Sequence, residues 1–154
     1  MPNRLGVVVL LNHSAVRISL GHMDDALALF TDVLGFEEVF EMSGADGGPS
    51  SPGPFRMSVL RQPTTNVDVQ LTAVEAGGSQ DAKLLNQIGF VSDDAGTDVE
   101  TVETWCRARG LEVATGAYGP GFRWIDVPDV FMDFVLEVMD RESLLATGYT
   151  EPVT

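Results

Sequence analysis

One supersecondary pattern occurs twice in this chain. A short strand, a polar break, an amphipathic helix closed by glycine and a second strand begin at residue 16 and begin again at residue 87. In the first copy Val16-Arg17-Ile18-Ser19-Leu20 leads through Gly21-His22 into a helix predicted over residues 23–34, and Gly35-Phe36 follows. In the second, Gln87-Ile88-Gly89-Phe90-Val91 leads through a longer break ending at Gly96 into a helix predicted over residues 98–109, followed by Gly110-Leu111. Neither copy alone can cover its own sheet, so a chain of 154 residues carrying both is one domain made by duplication, with its site between the halves.

Hydrophobic periodicity supplies the remaining elements. Residues 5–11 form an unbroken apolar run, read as a buried strand or a strand at a subunit contact; Asn12-His13-Ser14 interrupts it before a second strand at 16–20. Met23, Ala26, Leu27, Phe30 and Leu34 make one stripe of the first helix, and Gly35 is placed to end it in a left-handed conformation. Strands are predicted over 36–42, 55–60 and 67–74, with a Gly, Ser and Pro loop at 43–54 and a turn at 61–66. In the second copy Thr97-x-x-Glu100 is a capping box, Val99, Val102 and Cys106 form the inner stripe, and strands follow over 111–114, 122–127 and 131–138. Module 1 therefore spans about residues 5–74, a linker 75–83, module 2 about 84–139 and a tail 140–154, with a short helix expected at 140–146.

Charge narrows the partners. Nine basic residues, of which Lys83 is the one lysine, face 23 acidic ones for a net charge of −14. Such a field repels phosphate backbones and anionic lipid, so nucleic acid and membrane surfaces are excluded as expected partners, and a neutral or cationic small molecule fits better. Cys106 is the single cysteine, which rules out an internal disulfide and is compatible with a cytoplasmic setting. The apolar run after Arg4 lacks a cleavage motif and is too short for a signal segment or a membrane span, so it is read as a strand.

The duplicated strand and helix, with Asp25-Ala26-Leu27-Ala28-Leu29-Phe30-Thr31-Asp32-Val33-Leu34-Gly35-Phe36 in the first half and Gln87-Ile88-Gly89-Phe90, Gly110-Leu111-Glu112-Val113 and Trp124-Ile125-Asp126-Val127-Pro128-Asp129 in the second, resembles the vicinal oxygen chelate superfamily. That superfamily takes in glyoxalases, bleomycin-resistance proteins and extradiol dioxygenases. The resemblance covers residues 13–139 and implies an α+β fold: two tandem βαβββ modules forming an open curled sheet around a cavity. It also implies pairing of subunits, so a homodimer sealed by residues 5–11 is expected. Metal-dependent members place one ligand on the first and one on the fourth strand of each module. These positions fall on Ala15, Gln70, Gln87 and Phe134, or Asp133 if the last strand shifts by one. Two amides without charged partners balance a divalent ion poorly, so no metal or other cofactor is expected. A displaced set, His13, Gln70, Gln87 and Glu137, is the alternative, with one divalent ion. His22 is read as a solvated residue at the helix start.

Strand alternation points Arg17, Ser19, Asp68, Gln70, Gln87 and Asp133 to one face, while Trp124 and Phe131 offer stacking surfaces or simply core. The expected binding residues are thus Arg17, Ser19, Asp68, Gln70, Gln87, Trp124 and Phe131, around a drug-like or secondary-metabolite ligand, as in the antibiotic-resistance branch. Two enzyme readings stand beside this one. A metal-dependent lyase, isomerase or dioxygenase would use the displaced set. A metal-free enzyme would use Asp133 or Glu137 as general acid or base with Arg17 stabilising developing negative charge.

Overall fold

A computed structural model describes residues 10–45, 53–64, 67–75 and 82–151. Most of the apolar run at 5–11, and with it the expected subunit contact, lies outside the described residues, as does most of the linker. The first half contains β1 (Leu10–Ser19), a 3-10 turn (Leu20–His22), α1 (Met23–Ala28), a π turn (Leu29–Val33), β2 (Glu37–Gly44), β3 (Phe55–Arg61) and β4 (Asp68–Val74). The second contains β5 (Gln87–Ser92), α2 (Ala95–Arg107), β6 (Ala114–Gly119), β7 (Phe122–Asp126) and β8 (Val135–Asp140), after which α3 (Arg141–Ala146) opens the tail.

All eight strands join one mixed sheet in the order β2-β3-β4-β1-β5-β8-β7-β6. Within each module the first strand runs parallel to the fourth, β1 with β4 and β5 with β8, and the modules meet through the antiparallel pair β1 and β5. This is the paired βαβββ, α+β architecture expected from the duplication. Each helix covers its own core on the outer face. Met23 of α1 packs with Leu60, Leu71 and Ala73; Val99 and Cys106 of α2 pack with Ile125, Val127 and Val138. Gly35 and Gly110 follow the two helical segments at φ of 73° and 71°, the left-handed conformation that costs glycine little. On the inner face a third cluster forms, where Leu144 and Tyr149 of the tail lie on Val59, Val91 and Met139.

Four element boundaries differ from expectation. The helix α2 starts at Ala95, since the Asp94 carboxylate accepts from the Thr97 backbone N–H at 3.0 Å and from its hydroxyl at 2.8 Å; Asp94, not Thr97, is the cap. The strand predicted at 111–114 instead begins at Ala114, because Leu111 and Val113 pack against the α2 core and the Glu112 N–H is taken by Asp129. The last strand starts at Val135 rather than 131, because the Val127 carbonyl accepts from the N–H groups of Val130 and Phe131 and turns the chain there. Finally, β1 runs unbroken through Asn12-His13-Ser14, with a register shift between Leu11 and His13.

Candidate functional site

That register shift matters, because a bulge places consecutive residues on the same side of a strand. Asn12 and His13 both reach the inner face, where both are buried and both line a cavity of about 320 Å³. Phe40, Met42, Phe55, Met57, Phe122 and Met139 supply much of its apolar wall. The polar end is built on the four central strands, in the order β4, β1, β5, β8. One donor comes from each: Gln70 from β4, His13 from β1, Gln87 from β5 and Glu137 from β8, and all four line the cavity.

Sheet register fixes this constellation. His13 and Glu137 flank Gly89 in one row, while Gln70 and Gln87 flank Ala15 in another. Exchanging β1 with β5 and β4 with β8 carries His13 onto Gln87, Ala15 onto Gly89 and Gln70 onto Glu137. The four donors therefore occupy positions related by the internal duplication, and the residues between them are small. Gly89 has to be small: a Cβ there would lie 2.3 Å from Cε1 of the His13 ring, which crosses above it toward Glu137.

Nε2 of His13 lies 3.2 Å from Oε2 of Glu137, both side chains being buried, yet Nε2 makes no aligned hydrogen bond. Gln87 donates through Nε2 to the Leu84 carbonyl at 3.2 Å, which leaves its Oε1 buried without a partner. Gln70 donates to the Thr72 hydroxyl at 3.2 Å. Tyr118 donates to the same Leu84 carbonyl; burial, offset in part by its hydrogen bond to Gln87 and reinforced by the Glu137 charge, raises its hydroxyl pKa well above the ordinary 10.0 and keeps it neutral.

Behind His13 stands a second network that reaches the tail. The Asp68 carboxylate, fully buried, receives Nε and Nη2 of Arg61, each at 2.8 Å, together with the Tyr149 hydroxyl. Asn12 Nδ2 donates to Tyr149 Oη at 3.2 Å, and Asn12 Oδ1 lies 2.9 Å from Nδ1 of His13. Arg61 also donates to the Thr150 carbonyl at 2.7 Å. Burial and the Asp68 carboxylate push the Tyr149 hydroxyl well above its ordinary pKa, and Asp68 likewise raises that of Arg61.

The residues singled out from sequence are dispersed. Gln70, Gln87, His13 and Glu137 line the cavity; Arg17, Ser19 and Asp133 are exposed and do not. Arg17 and Asp133 are thus not brought to Glu137 inside the cavity. Asp68 is committed to Arg61 and Tyr149. Trp124 sits beside Glu137 in register, but its ring lies over Gly116, and Phe131 packs on the α2 core with its ring 4.6 Å from that of Phe134. Ala15, the position assigned by resemblance to a first-strand ligand, is a buried spacer. His22 is exposed and pairs with Asp25 at 3.0 Å. Neither Asn12 nor Tyr149 is marked as a cavity residue by the sequence pattern; the polar Asn12-His13-Ser14 that ends the apolar run is the available sign of the bulge.

The donor set fits a divalent cation. An imidazole nitrogen and an amide oxygen are buried there without a hydrogen bond, and a carboxylate lies 3.2 Å from that nitrogen; a hydrogen-bonded core leaves such atoms unsatisfied only at cost. No group of three His, Cys, Asp or Glu side chains suited to a metal occurs among the described residues, so any such site depends on the two amides. Among the described residues, no helix is long and apolar enough to cross a membrane.

No family model and no curated protein sequence matches the chain. Solved structures do. A methylmalonyl-CoA epimerase from Mycobacterium tuberculosis superposes with a TM-score of 0.60 at 20% identity, over 89% of this chain and 91% of that one. A hypothetical protein from Bacillus halodurans gives 0.59 at 12% identity over 86% and 94%. A variant methylmalonyl-CoA epimerase from Streptomyces coelicolor, in complex with 2-nitronate-propionyl-CoA, gives 0.55 at 14% identity over 84% and 95%. At these identities the likeness establishes the fold.

Proposed function

We infer that this chain, which has the vicinal oxygen chelate fold, is a small-molecule-binding protein whose cavity holds an organic ligand beside a divalent cation carried by His13, Gln70, Gln87 and Glu137. The observation behind this reading is that two buried atoms, His13 Nε2 and Gln87 Oε1, make no hydrogen bond, the first of them 3.2 Å from the Glu137 carboxylate. A bound cation supplies a Lewis acid able to polarise a ligand oxygen. The chain's own side chains do the rest. The aromatic and methionine wall removes the ligand's apolar body from water, at about 25 cal/mol per Å² before association costs. Tyr118, kept neutral, offers a hydroxyl near the polar end. Among the described residues lining the cavity, Glu137 is the only carboxylate and His13 the only imidazole. With both engaged in holding the cation, no further carboxylate or imidazole among the described residues lines the cavity, and the two tyrosines there are kept neutral, which favours binding of a drug-like or secondary-metabolite molecule over proton transfer on two faces of a carbon.

One observation favours a metal-free version of the same reading: the donor set carries a single carboxylate. In that version the ligand's own donor groups meet His13, Gln87 and Glu137. Titration calorimetry with Mn²⁺, Co²⁺, Ni²⁺ and Zn²⁺ on chelator-treated protein separates the two. About one cation per chain, lost in Glu137→Gln, is the expected result. No binding at millimolar concentration in the folded protein would overturn the cation. A cytoplasmic setting accords with Cys106 being a buried free thiol. The homodimer belongs to this reading as well, and sedimentation showing a monomer at micromolar concentration would remove it.

A further inference from the structure

The hydrogen-bond network behind His13 has a direction, and each step leaves one choice. Asp68 accepts on both oxygens, from Nε and Nη2 of Arg61, and the single proton of the Tyr149 hydroxyl is also spent on it. Tyr149 Oη can then only accept, and it accepts from Arg61 Nη2 and from Asn12, each at 3.2 Å. Asn12 must therefore turn its NH₂ toward Tyr149 and its Oδ1 toward His13. At 2.9 Å, Oδ1 requires a proton on Nδ1 of the imidazole. In a neutral ring, Nε2 is left as a lone pair facing Glu137.

We propose that Asp68, Tyr149 and Asn12 are positioning residues that hold His13 in the Nδ1–H tautomer, so that the C-terminal segment, through Tyr149, sets the presentation of Nε2 in the cavity. The position of the proton follows from the network alone; its consequence for a cation rests on the function proposed above. Without the relay the ring has a better alternative, an Nε2–H donated to the Glu137 carboxylate, because a charge-assisted hydrogen bond is stronger than a neutral one. The relay thus keeps the nitrogen and the carboxylate from satisfying each other. Its anchor lies far along the chain, since Arg61 also holds the Thr150 carbonyl and packs 5.7 Å above the Tyr149 ring.

The test is long-range ¹⁵N–¹H correlation of the imidazoles at about pH 8.5, above the ordinary histidine range, in protein carrying His22→Gln so that His13 alone reports. The unliganded protein is expected to show one tautomer, protonated at Nδ1. Tyr149→Phe, which keeps the ring and its edge contact with Phe40, should shift the proton toward Nε2. Asn12→Ala should do so directly and serves as the second variant if the first does not fold. Mn²⁺ and Co²⁺ affinity should fall about tenfold to a hundredfold in either variant, the usual loss when the partner of a ligating histidine is removed. An Nε2–H tautomer in the unaltered protein, or an Nδ1–H tautomer unmoved in folded variants, would overturn the proposal. A tautomer that shifts as stated in protein that binds neither ion supports the relay and overturns the cation instead.

Discussion

Gly89 separates His13 from Glu137 in the sheet, and the imidazole lies where a β-carbon on that residue would stand, 2.3 Å from Cε1. In Gly89→Ala the ring must move, and with it the approach of Nε2 to Glu137. The expected cost is about 1–3 kcal/mol of stability, as for other overpacked sites, with loss of cation or ligand binding well beyond what that destabilisation explains. Denaturant unfolding and calorimetry on one preparation check both. Unaltered binding in a folded variant would mean that the His13 ring has no role in the site.

The α2 helix depends on a charged cap. Thr97 donates to Asp94 from its backbone N–H and its hydroxyl, and both bonds lower the Asp94 pKa below the ordinary 3.8. The carboxylate's contribution is therefore present above pH 3.8 and is lost as pH falls through the lower, folded-state value. Asp94→Ala should lower Tm at neutral pH, and the gap between variant and parent should close on acidification below that range. Thermal melts followed by circular dichroism measure it. A gap independent of pH would show that the cap acts through shape rather than charge. At the same scale, Leu71 of β4 is fully packed beneath α1, and Leu71→Ala is expected to cost about 2–5 kcal/mol in chemical denaturation.

Across the whole molecule, one half-buried tyrosine and one buried tyrosine join the modules and the tail to the cavity. The hydroxyls of Tyr118 and Tyr149 both have pKa values raised above the ordinary 10.0, first of all by burial. The folded state thus holds these protons where the unfolded chain releases them. Their stabilising contribution is complete below pH 10.0 and declines as pH rises from there toward the folded-state values. Stability measured against urea should fall steeply above that pH, and Tyr149→Phe should show a shallower fall. An identical alkaline slope in the variant would exclude Tyr149 as a contributor. The net charge of −14 acts in the same direction, since deprotonation adds to a repulsion that is already strong.

What the sequence determined by itself is the duplication, the two helices with their glycine stops at Gly35 and Gly110, and the strand-rich remainder. Period and turn chemistry are local properties, so the paired α+β modules were legible without coordinates. The site was legible only as a set of residue types. His13, Gln70, Gln87 and Glu137 appeared among the candidates beside Arg17, Asp133 and Trp124, and nothing local ranks one above another. Register ranks them. A shift between Leu11 and His13 turns Asn12 inward with His13, and the start of β8 at Val135 puts Glu137 rather than Phe134 beside Gly89. Both are decided by pairing between strands distant in sequence, where one residue of slip reverses the face of every side chain. The role of Tyr149 belonged to tertiary structure for the same reason: its partners Asn12, Arg61 and Asp68 lie in the other module, and only folding brings the tail back to them.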